Sequence, residues 1–288
     1  MNSQYKNSAA MNKIQLLACV AAIGVFTGCK EEPIIIPNPS LNISGRTVLV
    51  EEGTGVRCQN CPIGTQTLVA LQQQYGAEKL IVVSLHAAAN FSVPYSSSKY
   101  DFRSSEIQEL ANYIGPLEGF PTATINRRLL PNETSAFITP HTRWGGEVAQ
   151  DLQQDASMAI SIANTFDPVS RALNIKVDIL PDQALGGELR LTVLITQDSI
   201  RDPQLNGSTL IPDYVHRHVA RDVVSAPSGD VITDAFEAGS LITRNYTVTL
   251  PDGPTGFDEK HCSVVAFVHR GGNANKEVLQ AAEKYVLK

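Results

Sequence analysis

TVLVEEGTGVRCQNCP, residues 47–62, is the stretch of sequence that decides the fold. It begins with β-branched and apolar residues, which predict a strand, and the glycines that follow break that strand. Apolar residues then recur at helical spacing, so residues 62–75 are predicted to form a helix. The order of strand, loop, Cys58, Cys61 and helix therefore places the first cysteine at a helix N-terminus.

A cysteine in that position has a chemical consequence. Unpaired backbone N–H groups and the helix dipole stabilise its thiolate, and the neighbouring Arg57 is expected to stabilise it further. Cys58 is predicted to be the exposed nucleophile of a thiol–disulfide exchange site, and Cys61 the resolving thiol. A protein thiol or disulfide is the expected partner, and no cofactor is expected.

Two alternatives remain for this pair of cysteines. A Cys-x-x-Cys is also half of a zinc site, but the sequence has no second Cys-x-x-Cys and its 6 histidines are scattered. No metal is therefore expected here. A purely structural disulfide is the other alternative. The net charge of -6 without a basic run argues against nucleic acid as a partner.

The chain continues as a β-α-β section. The apolar run 80–85 predicts a strand buried on both faces, and a polar loop follows at 86–104. Gly76 is the predicted C-cap of the preceding helix and Ser105 the predicted N-cap of the next. The further predicted elements are a helix at 105–113, a strand at 123–126 and a helix at 142–154.

From residue 156 onward, apolar and polar residues alternate and turn signals recur. This pattern predicts an antiparallel sandwich, and the domain boundary is placed near residue 154. The predicted strands are 157–164, 173–180, 188–196, 241–250 and 263–269. Cys262, at the start of the last of these strands, is expected to be a buried small hydrophobe.

The N-terminus reads as a targeting segment. Lys13 precedes the apolar run 14–26, which is too short for a membrane span and suits a signal peptide. The run ends in Phe26-Thr27-Gly28-Cys29, which resembles a lipobox, so Cys29 is predicted to be lipidated and to attach the protein to the membrane. An ordinary secretory signal with a chance cysteine is the alternative.

The residues after Cys29 predict a localisation signal followed by a tether. Lys30-Glu31-Glu32 resembles the signal that sends lipoproteins to the cell surface in Bacteroidetes-type bacteria; a solvated charged tether or the periplasmic face is the alternative. Three prolines then favour an extended spacer. The predicted organisation is a signal peptide at 1–28, a Pro-rich tether at 29–45, a first domain at 46–154 and a second at 155–288.

The first domain resembles thioredoxins, and the resemblance implies roles for further residues. Glu52, near the end of the first strand, stands where such proteins keep an acid that shuttles the proton of the buried cysteine; a capping or surface Glu is the alternative. Gly119-Phe120-Pro121-Thr122 resembles the cis-proline loop that lies beside a substrate peptide, so Pro121 joins the catalytic set and Phe120 and Thr122 the substrate-binding set. A trans turn proline is the alternative for Pro121.

Residues 48–62, 119–127 and 214–219 also resemble the 28-kDa outer-membrane-protein family of Bacteroidetes. That resemblance implies a thioredoxin-like α/β domain followed by an all-β immunoglobulin-like sandwich, on an outer-membrane lipoprotein without a settled activity. A thiol–disulfide oxidoreductase is one prediction for its function. A surface binding or adhesion lipoprotein, in which the disulfide is structural, is the other, and a subunit of a larger envelope complex is a third.

Two smaller motifs lie in the second half of the sequence. His216 and His218 alternate, so on a strand they would share a face and offer two metal ligands. A solvated strand face is the alternative, because no third ligand is evident. Asp198-Ser199-Ile200 resembles the acidic tripeptide that these bacteria O-glycosylate.

Overall fold

The computed structural model describes residues 45–272 and 275–287. The predicted signal peptide, Cys29, the Lys-Glu-Glu segment and all but the last residue of the tether lie outside the described residues. The described chain is mostly β-sheet with few helices. The helices are α1 (Cys61–Tyr75), α2 (Ser105–Ile114) and α3 (Trp144–Asp151).

Strands make up most of the ordered elements. In chain order they are β1 (Val48–Gly53), β2 (Leu80–Leu85), β3 (Thr122–Ile125), β4 (Met158–Phe166), β5 (Ala172–Pro181), β6 (Leu189–Gln197), β7 (Ile200–Asn206), β8 (Thr209–His216), β9 (Val219–Val223), β10 (Asp230–Val231), β11 (Ile242–Thr249), β12 (Cys262–Arg270) and β13 (Val278–Tyr285). Two short 3₁₀ turns cover Ala89–Ser92 and His141–Arg143.

Most predicted elements are present close to their predicted bounds. Of the two predicted helix caps, one is confirmed and the other is wrong. Gly76 caps α1 as predicted, and its N–H donates to the carbonyl of Gln72. Ser105 does not cap α2: the N-cap is Ser104, whose side chain accepts a hydrogen bond from the N–H of Ile107. An N-cap needs extended backbone, which Ser104 has and Ser105, already helical, lacks.

One mixed sheet joins both halves of the chain. Its strand order is β13-β12-β6-β9-β2-β1-β3, with β10 paired to β6. β1 and β2 are parallel, and β9 pairs beside β2 where the N–H of Ser84 donates to the carbonyl of His218 at 2.8 Å. Strands from before and after residue 154 thus share this sheet, and the described residues belong to one compact unit. The sheet is not divided at the boundary that the sequence pattern suggested.

The two faces of this sheet are covered differently. On one face α2 packs across strands from both halves, in a core that contains Leu49, Leu110 and Phe267. On the other face α1 and α3 cover β1 to β3, and the three-stranded sheet β11-β5-β4 covers β6 and β12. β2 is buried on both faces and is apolar apart from Ser84, in agreement with the strand predicted at 80–85.

The third sheet is the hairpin of β7 and β8. Neither this hairpin nor the strands β9, β10 and β13 were predicted from the sequence. Gly207-Ser208, the two-residue turn at the tip of the hairpin, is a hairpin signal that was available in the sequence. The hairpin matters because it leaves the main sheet and reaches the Cys58 loop.

Candidate functional site at Cys58 and Cys61

Cys58 and Cys61 form a disulfide, with their Cα atoms 5.4 Å apart. α1 begins at Cys61 and not at Cys58, which lies in the turn just before the helix. Cys58 is also buried, with 3% of its surface exposed, where the sequence suggested an exposed nucleophile. The expected disulfide is therefore present, but its surroundings differ from the expectation.

The β7–β8 hairpin causes this burial. The N–H of Leu205 donates to the carbonyl of Val56 at 2.8 Å, and the N–H of Gly207 donates to the carbonyl of Gln59 at 2.8 Å. The side-chain amide of Gln204 donates to the carbonyls of Cys58 at 3.1 Å and Gly55 at 3.3 Å. The hairpin thus holds the backbone on both sides of Cys58.

Arg57 does not have the predicted role. Its guanidinium donates to the carbonyls of Val93 and Pro94 at 2.6 and 2.7 Å. It also lies 4.4 Å from the centre of the Tyr95 ring. Arg57 therefore anchors the loop at 86–104 to the Cys58 turn.

Glu52 lies on β1 and is fully buried. Ser84 Oγ donates to one carboxylate oxygen at 3.1 Å, and Thr65 Oγ1, on α1, donates to the other at 3.1 Å. Burial raises the pKa of Glu52 to about 7, because the charged form loses its hydration, and the two hydrogen bonds oppose that rise. The carboxyl group is thus able to gain and lose a proton near neutral pH.

Pro121 lies beside the same helix. The Phe120–Pro121 peptide bond is cis, which confirms the prediction for this bond. A Cβ built on Gly64 would stand 2.7 Å from Pro121 Cβ and 3.1 Å from Glu52 Oε1. The cysteine helix, the buried acid and the proline loop therefore meet at Gly64, which has no side chain to keep them apart.

We expect Gly64→Ala to destabilise the protein by about 1–3 kcal/mol, because the added methyl group overlaps Pro121. Gly146→Ala, in α3, is the matched control. Its Cβ would meet nothing within 4 Å, so it should be neutral or stabilising by up to about 1 kcal/mol. Urea unfolding followed by the fluorescence of the single tryptophan measures both variants. Equal stability of the two variants would contradict this packing.

The two residues predicted to bind substrate, Phe120 and Thr122, differ in their exposure. Thr122 is fully buried, and its Oγ1 donates to the carbonyl of Ile138 at 3.3 Å. Its side chain stabilises β3 and is not available to a substrate, contrary to the prediction. Phe120 is half-buried, and its ring centre is 5.5 Å from that of Phe91.

Residues distant in sequence complete the surroundings of Cys61. His86, Tyr214 and His216 line a cavity of about 10 Å³ together with Cys61, and this volume holds about one water molecule. Burial lowers the pKa of His86 to about 3 and that of His216 to about 4, so both imidazoles are neutral at pH 7. His86, Gln204 and Tyr214 were not predicted to belong to this site, because no local pattern links residues so far apart in sequence to residues 55–61.

His216 and His218 do not form the suggested metal pair. His216 ends β8 and is buried, whereas His218 follows the strand with a φ of 52° and donates its N–H to Asp198 Oδ1 at 2.8 Å. The alternation fails because the chain turns between them. Within the described ranges, no group of three or more His, Cys, Asp or Glu side chains is arranged to hold a metal ion.

Cys262 is buried, as expected, and burial raises the pKa of its thiol to about 12.

In the part of the chain that the structure describes, no helix is both long enough and apolar enough to cross a membrane.

Residues 107–287 match the family described as Outer membrane protein Omp28. The chain therefore belongs to the Omp28 outer membrane protein family, which suggests an association with the outer membrane. The matched residues include Pro121 and the β7–β8 hairpin, but not Glu52, Cys58 or Cys61. No curated protein matches the sequence.

Two solved structures show related folds. HBP35 of Porphyromonas gingivalis superposes with a TM-score of 0.67 and 17% identity, over 84% of this chain and 76% of that one. Protein AGR_C_4864 from Agrobacterium tumefaciens superposes with a TM-score of 0.52 and 12% identity, over 85% of this chain and 96% of that one. At such low identity these similarities concern the fold alone.

Proposed function

We propose that the protein is a lipid-anchored thiol–disulfide oxidoreductase of the outer membrane that acts on protein substrates through Cys58 and Cys61. The observation that carries this proposal is the meeting of the disulfide helix, Glu52 and cis-Pro121 at Gly64. A structural disulfide alone requires neither a buried acid with a pKa of about 7 nor a proline loop beside it.

The proposed reaction has two exchange steps. In the reduced protein the Cys58 thiolate attacks one sulfur of a substrate disulfide, forms a mixed disulfide and releases the other sulfur as a thiolate, which takes up a proton. Glu52 then accepts the proton of the Cys61 thiol, and the Cys61 thiolate attacks the sulfur of Cys58. This attack breaks the mixed disulfide: the second substrate sulfur leaves as a thiolate and takes up a proton, so that the substrate is released as a dithiol, Glu52 returns its proton to solvent, and the Cys58–Cys61 disulfide re-forms. A thiol donor from outside the protein reduces it again.

The arrangement of elements supports a thioredoxin-like part at 46–154. β1 and β2 are parallel, α1 follows the cysteines, and β3 runs antiparallel to β1 directly after the cis-proline. In this proposal residues 155–288 form a β-sandwich part that shares the main sheet and supplies the hairpin over Cys58.

The membrane anchor is the second part of the proposal. The lipobox at Cys29 and the acidic residues after it support lipidation and display on the cell surface, and the Omp28 family match agrees with an outer-membrane location. Cys29-dependent incorporation of a labelled fatty acid tests the anchor, and protease treatment of intact cells tests the surface location.

One observation favours a different function. The hairpin buries Cys58 and fixes the backbone on both sides of it, as suits a disulfide that only stabilises a loop. The protein would then be a surface binding or adhesion lipoprotein whose recognition surface lies elsewhere.

The reduction potential of the Cys58–Cys61 pair separates these functions. We expect a value between about −120 and −270 mV, the range of catalytic oxidoreductases. Titration of the full-length protein in detergent against thiol–disulfide buffers, with thiol alkylation as the readout, measures it. A value below about −300 mV is typical of a structural disulfide and would reject the enzyme in favour of the binding lipoprotein.

A further inference from the structure

A second cleft lies beside the proline loop. It is lined by Phe91, Leu117, Phe120 and the segment 87–90, and it has a volume of about 190 Å³. Apart from Asn90, every lining side chain is apolar. Phe91 is 46% exposed and is the only aromatic residue among the strongly exposed large hydrophobic side chains of the described chain. We refer to this space as the Phe91 cleft.

The Phe91 cleft is built directly on the backbone that leads to Cys58. The carbonyl of Phe91 accepts a hydrogen bond from the N–H of Arg57 at 2.8 Å. A Cβ on Gly55 would lie 2.4 Å from that carbonyl oxygen, and a Cβ on Gly53 would lie 2.6 Å from Leu117 Cδ2. Both close approaches depend on glycine.

The other wall of the Phe91 cleft is continuous with the proline loop. Phe120 immediately precedes cis-Pro121, which packs on the cysteine helix at Gly64. The cleft shares no lining residue with the cavity beneath the β7–β8 hairpin. A polypeptide lying along the proline loop with its cysteine at Cys58 would therefore have the cleft within reach of its neighbouring side chains.

The volume identifies the size of the occupant. A cavity of about 150 Å³ accommodates a benzene ring, whereas pockets for larger organic ligands span roughly 300–1,000 Å³. The lining offers no charged side chain to pair with a charged group. These features fit one large apolar or aromatic side chain.

We propose that the Phe91 cleft is a specificity subsite that binds a large apolar side chain of the protein substrate, within two residues of the substrate cysteine. This inference rests on the proposed thiol–disulfide exchange. It names the substrate class as polypeptides in which the reacting cysteine has an apolar neighbour, a segment of the kind that folded proteins bury.

Peptides of six residues test the subsite. Each peptide carries one cysteine in a mixed disulfide with 2-nitro-5-thiobenzoate. One position, either one or two residues before or after that cysteine, is occupied by Phe in one peptide and by Ser in its counterpart. The full-length protein, reduced beforehand with dithiothreitol and desalted, is mixed with each peptide. Cys58 attacks the peptide sulfur, the coloured thiolate leaves, and Cys61 then releases the peptide as a thiol.

We expect at least one Phe peptide to react about tenfold faster than its Ser counterpart. Phe91→Ser should abolish this preference, and Phe91→Leu should retain most of it. Val169→Ser is the matched control, because Val169 is 91% exposed on the turn between β4 and β5. It should leave the preference unchanged.

The outcomes distinguish the subsite from the reaction. Equal rates for Phe and Ser peptides, well above the rate of a Cys58→Ala variant, would overturn the subsite and leave the exchange activity standing. Rates no higher than that variant's would overturn both. A preference that disappears as the protein dimerises, detected by sedimentation, would assign the cleft to a second copy of this chain and overturn the proposal.

Discussion

Cys58→Ala is expected to abolish thiol–disulfide exchange, whereas Cys61→Ala is expected to accumulate a covalent complex with the substrate. In the proposed mechanism Cys58 forms the mixed disulfide and only Cys61 resolves it, so removal of Cys61 leaves the first bond intact. Non-reducing electrophoresis of solubilised membranes measures the complex, which should disappear when dithiothreitol is added.

Folding is a necessary control, because both variants lose the disulfide. Loop-closure entropy for so short a spacing is worth about 2 kcal/mol, a loss that a domain with an extensive core tolerates. Circular dichroism of each variant checks this point.

Cys262→Ala is the matched cysteine variant. Its thiol is buried and has a pKa raised to about 12, so it should not take part in exchange, and the variant should keep full activity. If Cys61→Ala folds and yet traps no thiol partner, the enzyme proposal fails and the binding lipoprotein becomes the better account.

Glu52→Gln is expected to slow the resolving step by about 10²-fold or more at pH 7, since glutamine cannot accept the proton of Cys61. The first step, which releases the thiobenzoate thiolate, should keep its rate. Stopped-flow measurement of both steps separates them. An unchanged resolving rate would remove Glu52 from the mechanism.

The same substitution should change stability in a pH-dependent way. The pKa of Glu52 is about 7 in the folded protein and 4.5 in its ordinary environment, so between these values the folded state holds a proton that the unfolded state has released. The stability that this group contributes is therefore present below about pH 4.5 and lost as the pH rises to about 7.

The loss for this shift amounts to about 3 kcal/mol. At pH 8 the free energy of unfolding of Glu52→Gln, measured by urea unfolding, should thus exceed that of the wild type by about 3 kcal/mol. At pH 4 the two should differ little. His86 and His216 have lowered pKa values. Their contribution to the stability of the protein therefore changes in the opposite direction and is lost as the pH falls below about 6.5. The difference between variant and wild type at each pH isolates Glu52 from them.

Glu51→Gln is the informative neighbour. Glu51 is also fully buried on β1, but both of its oxygens accept hydrogen bonds from the buried guanidinium of Arg127, at 2.6 and 2.7 Å. Loss of that carboxylate leaves a buried cation without its partner and should cost a few kcal/mol at pH 8. At pH 8, Glu52→Gln is therefore expected to raise the free energy of unfolding and Glu51→Gln to lower it. A change of the same sign in both variants would contradict the environment assigned to Glu52.

Local patterns were sufficient for much of the fold. The apolar run of β2, the helical spacing of α1 and the glycine at its C-terminus each depend on residues close in sequence, and each element formed where it was predicted. The same holds for the disulfide, whose cysteines are three residues apart. The cis bond at Pro121 was predicted instead from the resemblance of residues 119–122 to the cis-proline loop of thioredoxins.

The failures of prediction share a cause. Thr122 was expected at the substrate and lies in the core, Arg57 was expected at the thiolate and anchors a loop, and the His216–His218 pair is divided by a turn. In each case a contact from a distant part of the chain decides where the side chain lies.

The sequence by itself determined the Cys58–Cys61 pair, the strand and helix around it, and the presence of an acid and a proline able to join it. Only the tertiary structure decided that the main sheet runs through both halves of the chain and that a hairpin near residue 205 buries Cys58. The physical reason is that secondary structure and turns follow from local periodicity and backbone preference. The pairing of β9 with β2, and of Gln204 with the Cys58 carbonyl, depends on hydrogen bonds between residues more than a hundred positions apart.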